Sequence, residues 1–177
     1  AHRPVGQDLL QRQEKGQRLV GGSHVRLRHD FHQRRPGAIE VDAAILFSDL
    51  LLPLEPMGIP FDFVQGEGPV IDPPVRSIER INQLRLFEPR EALAHVMDTI
   101  RLLGRRLSDR VPLIGFAGAP FTMASYAIEG GPSSNFARTK ALMYGEPTAW
   151  HKLADLFATV VSDYLTAQVQ AGAHAVQ

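Results

Sequence analysis

A short apolar run, Ala43–Phe47, ends directly in the polar pair Ser48-Asp49 and is followed by a Leu-rich segment that stops near Gly58. An unbroken apolar run of this length is typical of a strand buried on both faces. Either Ser48 or Asp49 has a side chain that can cap the helix we expect over 49–57. Polar residues at the carboxyl ends of buried parallel strands carry the chemistry of barrel and doubly wound enzymes.

The order of strand and helix repeats along the chain. We predict strands over Ala43–Phe47, Val111–Phe116 and Ala173–Gln177, and a weaker one over Ile59–Val64. We predict helices over Ser77–Gln83, Arg90–Leu107, Phe121–Ile128, a segment capped by Ser133–Asn135 that runs to Met143, and Pro147–Gln170, with Gln65–Pro74 as loop. This alternation predicts a parallel α/β sheet. A complete eight-stranded barrel takes about 250 residues, so we expect a partial (β/α)8 TIM barrel of three to four βα units.

The helix over Pro147–Gln170 carries a wide apolar face. Its apolar residues recur at helical spacing, and they are Leu153, Leu156, Phe157, Val160, Val161, Tyr164, Leu165 and Val169. Such a stripe is typical of a helix with one buried face.

Charge and composition divide the chain at Val41. Residues 1–40 hold eight Lys and Arg against four Asp and Glu, and residues 41–177 hold eleven against fifteen. We therefore predict a weakly ordered basic segment over 1–40 and a barrel domain over 41–177. A basic arm can bind nucleic acid, but aromatic residues do not alternate with the charges, which favours a solvated tail and no nucleic-acid partner.

The residue types exclude several classes of site. The sequence has no cysteine, so it contains no disulfide and no thiolate metal site, and its histidines are too scattered to form a metal motif. No apolar run approaches the roughly 20 residues of a membrane span, and the first residues lack the apolar core of a secretory signal. We expect a cytoplasmic protein without a membrane partner.

Two polar side chains follow successive predicted strands. Asp49 follows the first strand, and Tyr126 lies a few residues beyond the turn Gly118-Ala119-Pro120 that ends the second. The loops after parallel strands share one rim, so a carboxylate and a phenol could face one ligand there. The alternatives are a helix cap for Asp49 and a half-buried packing role for Tyr126.

Longer motifs resemble a known family. VDAAILFSD, LEPMGIPFDF, GPVIDPPVRS, PLIGFAGAPFTMASYAIEGGPSSNF and the helix ending in QAGAHAVQ together resemble bacterial uroporphyrinogen decarboxylases over residues 41–177. The resemblance implies a (β/α)8 barrel, usually a homodimer in the cytoplasm, that uses no metal and no organic cofactor. It also implies removal of the carboxylates of the four acetate side chains of uroporphyrinogen III, giving coproporphyrinogen III in haem and chlorophyll biosynthesis.

The resemblance also implies roles for particular residues. The catalytic and substrate-binding aspartate of the FSD motif corresponds to Asp49, and the substrate-binding tyrosine of the SYxxEGG motif corresponds to Tyr126. Phe47 and Ser48 precede that aspartate and are expected to line the same cleft. A carboxylate beneath the macrocycle accepts hydrogen bonds from the pyrrole N–H groups and opposes developing positive charge.

Residues 1–40 depart from the family pattern. They contain no MRQAGRY-like loop, whose arginines bind substrate carboxylates in the family, and neither Arg34 nor Arg35 is assigned that role. We expect the front half of such an enzyme with its first unit replaced, and a shifted reading frame upstream of Val41 is one hypothesis for the mismatch. Whether such a chain is active alone stays open.

Two other interpretations remain. Corrinoid-dependent methyltransferases share the barrel, but they use a zinc site built largely from His and Cys, and this sequence has no Cys. The third interpretation is a non-catalytic fragment that only binds a partner.

Overall fold

The computed structural model describes residues 41–107 and 111–177, so the predicted basic segment 1–40 lies outside the described residues. The strands are β1 Ala44–Ile45, β2 Asp62–Val64, β3 Gly68–Val70, β4 Leu113–Gly115 and β5 Ala175–Val176. The helices are α1 Leu54–Met57, α2 Ile78–Asn82, α3 Pro89–Ala92, α4 Ala94–Leu107, α5 Pro120–Glu129, α6 Ala137–Gly145 and α7 Pro147–Ala171. None of these helices combines the length and the apolarity that crossing a bilayer requires.

Strands β1, β4 and β5 form one parallel sheet in the order β1-β4-β5. Ala44 is paired with Leu113, and Ile114 is paired with Ala175. The pairing continues past the end of β1, because the Leu46 N–H donates to the Ile114 carbonyl at 2.9 Å. The parallel α/β sheet predicted from the sequence is therefore confirmed.

The prediction that the first strand is buried on both faces is wrong for the described residues. Leu46 and Ser48 are each 3% exposed, whereas Ile45 is 53% and Phe47 is 58% exposed. Successive side chains of a strand point to opposite faces, and the helices cover only the face that carries Leu46. The apolar run thus gives one core face and one open face.

The weaker strand prediction, Ile59–Val64, falls on a separate hairpin rather than on the parallel sheet. Only its end, β2, is a strand, and it pairs antiparallel with β3. Strand β3 lies inside the stretch predicted as loop, so that part of the prediction is wrong. The connecting turn uses Gly66 at φ +90° and Gly68 at φ +84°, backbone conformations that glycine adopts without steric cost.

The helix predicted over 49–57 forms only at its end. Residues 50–53 are turn, and α1 begins at Leu54 after Pro53, with no side-chain cap. Proline fixes its own φ and restricts the residue before it to extended conformations, which opposes an earlier start. The predicted stop is confirmed, since Gly58 has φ +92° and its N–H bonds back to the helix.

The helix predicted over Arg90–Leu107 is two helices, α3 and α4. Leu93 separates them with φ −117° and ψ 33°, outside the helical range. This kink leaves the Leu93 side chain in the core, where it is 3% exposed.

Helix α7 packs along both apolar clusters of the described core. Its first half supplies Leu153 and Phe157 to one cluster, and its second half supplies Tyr164 to the cluster that contains Leu46 and Leu113. The predicted apolar face is wrong in one position: Val169 is 49% exposed, and its neighbour Gln168 is 1% exposed instead. Each helical residue rotates the side chain by about 100°, and the sheet meets α7 on the side of Gln168.

Loop 71–76 covers the carboxyl end of α5. The Arg76 Nε donates to the Ile128 carbonyl at 2.8 Å, and its Nη2 donates to the Glu129 carbonyl at 2.9 Å. The Val75 N–H donates to Ala127 O at 2.8 Å. The last carbonyls of a helix have no partner within the helix, so these donors satisfy them and fix the loop on α5.

The start of α6 follows the predicted capping segment. Asn135 Oδ1 accepts from the Ala137 N–H at 3.2 Å, and Ser133 Oγ accepts from the Phe136 N–H at 3.1 Å. A distant side chain adds to the cap, because Glu129 Oε1 accepts from the Thr139 N–H and hydroxyl, each at 2.9 Å. Helix α6 continues to Gly145, past the predicted end at Met143.

Candidate functional site

Asp49 lies in the turn that follows β1, half-buried at the carboxyl end of the parallel sheet. Its Oδ1 accepts a hydrogen bond from the Leu51 N–H at 2.7 Å. The side chain therefore caps a local turn and not helix α1, which corrects the prediction of a helix cap. A carboxylate can accept about four hydrogen bonds, so Asp49 keeps acceptor capacity for a ligand.

The side chains of Phe47 and Phe116 stack on each other beside this turn. Their ring centroids lie 5.5 Å apart with an angle of 25° between the planes, a stacked arrangement. Phe47 follows β1 and Phe116 follows β4, so the stack joins the carboxyl ends of two neighbouring strands. Phe47 keeps more than half of its surface exposed next to Asp49, which leaves a flat apolar surface open to a ligand.

Ser48 points away from that surface. It is buried, and it alternates with the exposed Phe47 on the other side of the chain. Its polar neighbour is Tyr164 of α7, which is 1% exposed and whose hydroxyl has no hydrogen-bond partner among the described residues. Burial raises the pKa of Tyr164 to about 12, and Ser48 opposes part of that rise.

The raised pKa of Tyr164 predicts a loss of stability at alkaline pH. The folded state favours the neutral phenol, so its contribution is complete below the ordinary pKa of 10.0 and is lost as the pH rises toward about 12. We expect Tyr164→Phe to remove this loss, which is about 2–3 kcal/mol in the free energy of unfolding. Urea denaturation at several pH values measures it, and Tyr144→Phe, at an exposed position, is the matched control. An equal alkaline loss in wild type and Tyr164→Phe would contradict the prediction.

Tyr126 lines a small pocket between helix α5 and the segment that follows it. The pocket has a volume of about 180 Å³ and is lined by Phe121, Thr122, Ser125, Tyr126, Gly131, Pro132, Ser133 and Phe136. Phe121 contacts Phe136 and Trp150 edge to face, with centroid distances of 5.6 and 6.1 Å. The pocket thus combines an aromatic rim with the Tyr126 phenol and small hydroxyl side chains.

Asp49 and Tyr126 occupy separate places among the described residues. Tyr126 lies in the C-terminal half of α5, not in the loop before it, and its pocket is lined by none of residues 47–49. Helix α5 carries Tyr126 away from the end of β4 by about 1.5 Å per residue. The expectation that both side chains face one ligand stays a prediction.

Gln168 is a buried polar residue that the sequence analysis missed. Its Nε2 donates to the Phe116 carbonyl at 3.0 Å. The Gln168 side chain also packs tightly against Gly115, because a Cβ atom at position 115 would lie 2.2 Å from Gln168 Oε1. An available signal was a glutamine four residues after Tyr164 on the apolar side of α7, the spacing that places two residues on one helical face.

The described residues contain no group of three or more His, Cys, Asp and Glu side chains placed to hold a metal ion. The candidate site residues are the Asp49 carboxylate, the exposed Phe47 stacked on the half-buried Phe116, and the Tyr126 phenol in a separate pocket.

The matching family model and the curated relatives agree on one family. Residues 35–177 match the family model described as Uroporphyrinogen decarboxylase (URO-D), so the match begins a few residues before the predicted boundary at Val41. The chain is 57% identical over 143 residues to a uroporphyrinogen decarboxylase of Sorangium cellulosum, and the aligned region covers 81% of this chain and 41% of that protein. It is 54% identical over 137 residues to a uroporphyrinogen decarboxylase of Carboxydothermus hydrogenoformans, and the aligned region covers 77% of this chain and 39% of that protein.

The chain spans about two fifths of the length of these curated relatives. Among solved structures, a methyltransferase from Methanosarcina mazei superposes with a TM-score of 0.57 at 17% identity, covering 76% of this chain and 39% of that one. This likeness shows a shared fold. The family match and the relatives of more than 50% identity show that the chain belongs to the uroporphyrinogen decarboxylase family.

Proposed function

We propose that this chain supplies part of the site that decarboxylates uroporphyrinogen III to coproporphyrinogen III in haem and chlorophyll biosynthesis. One observation carries the proposal: Asp49 follows the exposed Phe47, whose ring stacks on the half-buried Phe116 at the carboxyl end of the sheet. A tetrapyrrole presents a broad apolar face and central N–H donors. The stack suits that face, and the carboxylate suits those donors.

The chemistry needs stabilisation of positive charge. Protonation of a pyrrole ring beside an acetate side chain makes the ring an electron sink, so the bond to the carboxylate carbon breaks and carbon dioxide leaves. The methylene group that remains takes up a proton and becomes a methyl group, and the ring then releases the proton it gained, which restores the neutral pyrrole. Asp49 accepts hydrogen bonds from the pyrrole N–H groups and stabilises the cation, in a site where it is already oriented by Leu51.

We assign substrate contact to two further residues, Phe47 and Tyr126. Phe47 packs against the macrocycle, and the Tyr126 phenol donates a hydrogen bond to a substrate carboxylate from its pocket. Ser48 supports the same segment from its buried side. None of the described arginines is assigned to the substrate carboxylates.

We propose that strands β1, β4 and β5, with the helices that connect them, belong to the three to four βα units of a partial (β/α)8 barrel, in keeping with the fold of the solved neighbour. We propose a cytoplasmic homodimer that acts without a metal or an organic cofactor and binds no nucleic acid.

A corrinoid-dependent methyltransferase remains the second candidate, because the solved neighbour is a methyltransferase. Zinc bound in stoichiometric amount would favour this candidate and overturn the decarboxylase proposal. The curated relatives that are more than 50% identical to the chain are named uroporphyrinogen decarboxylase, which supports the decarboxylase instead. A non-catalytic binding fragment would be indicated by a folded chain that binds uroporphyrinogen without forming product.

The experiment is an anaerobic assay of the purified chain with uroporphyrinogen III. Products are oxidised to porphyrins and separated by the number of carboxylates they retain. We expect porphyrins with seven to four carboxylates to accumulate, together with saturable binding of the substrate. A folded chain that neither binds uroporphyrinogen nor forms these products would refute the proposal.

A further inference from the structure

Gln168 lies at a position where a polar side chain is costly. It is 1% exposed, on the face of α7 that otherwise supplies Tyr164, Ala167 and Ala171 to the apolar core. A buried amide without hydrogen bonds is destabilising by about 1–3 kcal/mol or more. The Gln168 amide is held here by one defined contact, from its Nε2 to the Phe116 carbonyl.

The Phe116 carbonyl lies one residue beyond the last paired residue of β4. On one side of it, Gly115 O accepts from the Gln177 N–H at 3.1 Å, and on the other the Ala117 N–H donates to Gln177 O at 3.0 Å. Strand pairing with β5 thus holds the neighbouring groups, and Gln168 holds the carbonyl between them. The amide therefore fixes the peptide that carries the Phe116 ring.

The Phe116 ring in turn contacts the segment that carries Asp49. It stacks on Phe47, two residues before Asp49. Asp49 is linked to the next turn through the Leu51 N–H. A continuous series of contacts therefore runs from the buried amide of Gln168 to the carboxylate.

We propose that Gln168 is a positioning residue: through Phe116 and Phe47 it fixes the place of the Asp49 carboxylate. It does not contact the substrate. The proposed effect on catalysis rests on the proposed function, whereas the effect on Asp49 is a property of the fold and is measurable without substrate.

The first test compares two variants at Gln168. Gln168→Met keeps an unbranched chain of similar length but loses the donor, so Phe116 is no longer held. Gln168→Glu places a carboxylate against the Phe116 carbonyl; when ionised it cannot donate, but when protonated it donates an O–H as the amide does. Burial raises the pKa of such a carboxylate, so its effect should weaken as the pH falls.

The readout independent of substrate is hydrogen exchange at the Leu51 amide, which bonds to the Asp49 carboxylate. We expect about tenfold faster exchange in Gln168→Met than in wild type, corresponding to the loss of one hydrogen bond. At pH 8 we expect the Leu51 amide to exchange about tenfold faster in Gln168→Glu than in wild type. At pH 5 we expect the two exchange rates to be nearly equal. Gln170→Met is the control on the same helix, because Gln170 is exposed and contacts Arg90 at the surface.

The readout with substrate is the steady-state rate of decarboxylation. A displaced Asp49 loses transition-state stabilisation, so Gln168→Met should lower kcat about tenfold with KM nearly unchanged. Leu51 exchange and kcat within twofold of wild type in both variants would overturn the positioning role, as would a Gln168→Glu effect that is the same at every pH. Faster Leu51 exchange in a chain that does not act on uroporphyrinogen would support the positioning role and refute only the proposed function.

Discussion

Replacing Asp49 with asparagine is expected to lower kcat/KM for uroporphyrinogen decarboxylation by about 10²–10³-fold, the range measured when a single charge-stabilising group is removed from an active site. The substitution is conservative for the fold. An asparagine keeps a side-chain oxygen that can accept the Leu51 N–H, so the turn after β1 is preserved. It removes the negative charge that opposes the pyrrole cation, and so it tests the chemistry and not the packing.

The matched control for this prediction is Asp42→Asn. Asp42 precedes the same strand and is exposed, so the change in net charge is identical while the site is left intact. Activity is measured as product formed under anaerobic conditions, and thermal unfolding of both variants checks that the fold is unchanged. If Asp49→Asn retains activity within a few fold of Asp42→Asn, Asp49 is not the catalytic carboxylate.

Gly115→Ala is expected to lower the free energy of unfolding by about 2–3 kcal/mol, through overpacking and loss of a buried hydrogen bond. The new Cβ would lie 2.2 Å from Gln168 Oε1, 3.2 Å from its Cδ and 3.4 Å from its Cβ. Rotating the amide away relieves the closest contact, but it also breaks the hydrogen bond to the Phe116 carbonyl. The methyl group therefore cannot be accommodated without a cost.

Two further variants separate this clash from other effects of adding a methyl group. Gly104→Ala adds the same group on helix α4, where a Cβ would meet no atom within 4 Å, and it is expected to stabilise the chain by about 0.5–1 kcal/mol. In a Gln168→Ala background, Gly115→Ala should cost less than about 1 kcal/mol, because the clashing atoms are gone. Urea denaturation measures all of these variants, and additive losses in the double variant would show that Gly115 and Gln168 are not coupled.

The sequence predicted the parts of the fold that depend on local pattern. The apolar runs at β1, β4 and β5 indicated strands, and the alternation with helices indicated that they are parallel. The glycine at 58 indicated a helix end, and this residue has a positive φ in the structure. These features depend on residue type and spacing within a few positions, which a single sequence shows directly.

The errors arise where contacts distant in sequence decide the outcome. Strand β3 forms in a stretch rich in Gly and Pro because β2 pairs with it and the loop after it bonds to the end of α5. The exposure of Ile45 follows from which face of the sheet the helices cover. Local pattern carries no information on either point.

Motifs that are contiguous in the chain indicated the family, the order of strands and helices, and Asp49 and Tyr126 as candidate site residues. Three features depend on tertiary contacts instead: Phe47 stacks on Phe116, Tyr126 lies in a pocket separate from residues 47–49, and Gln168 supports Phe116 from within the core. Gln168 and Phe116 are separated by more than fifty positions in the sequence. Their contact exists because the parallel sheet and α7 place them together.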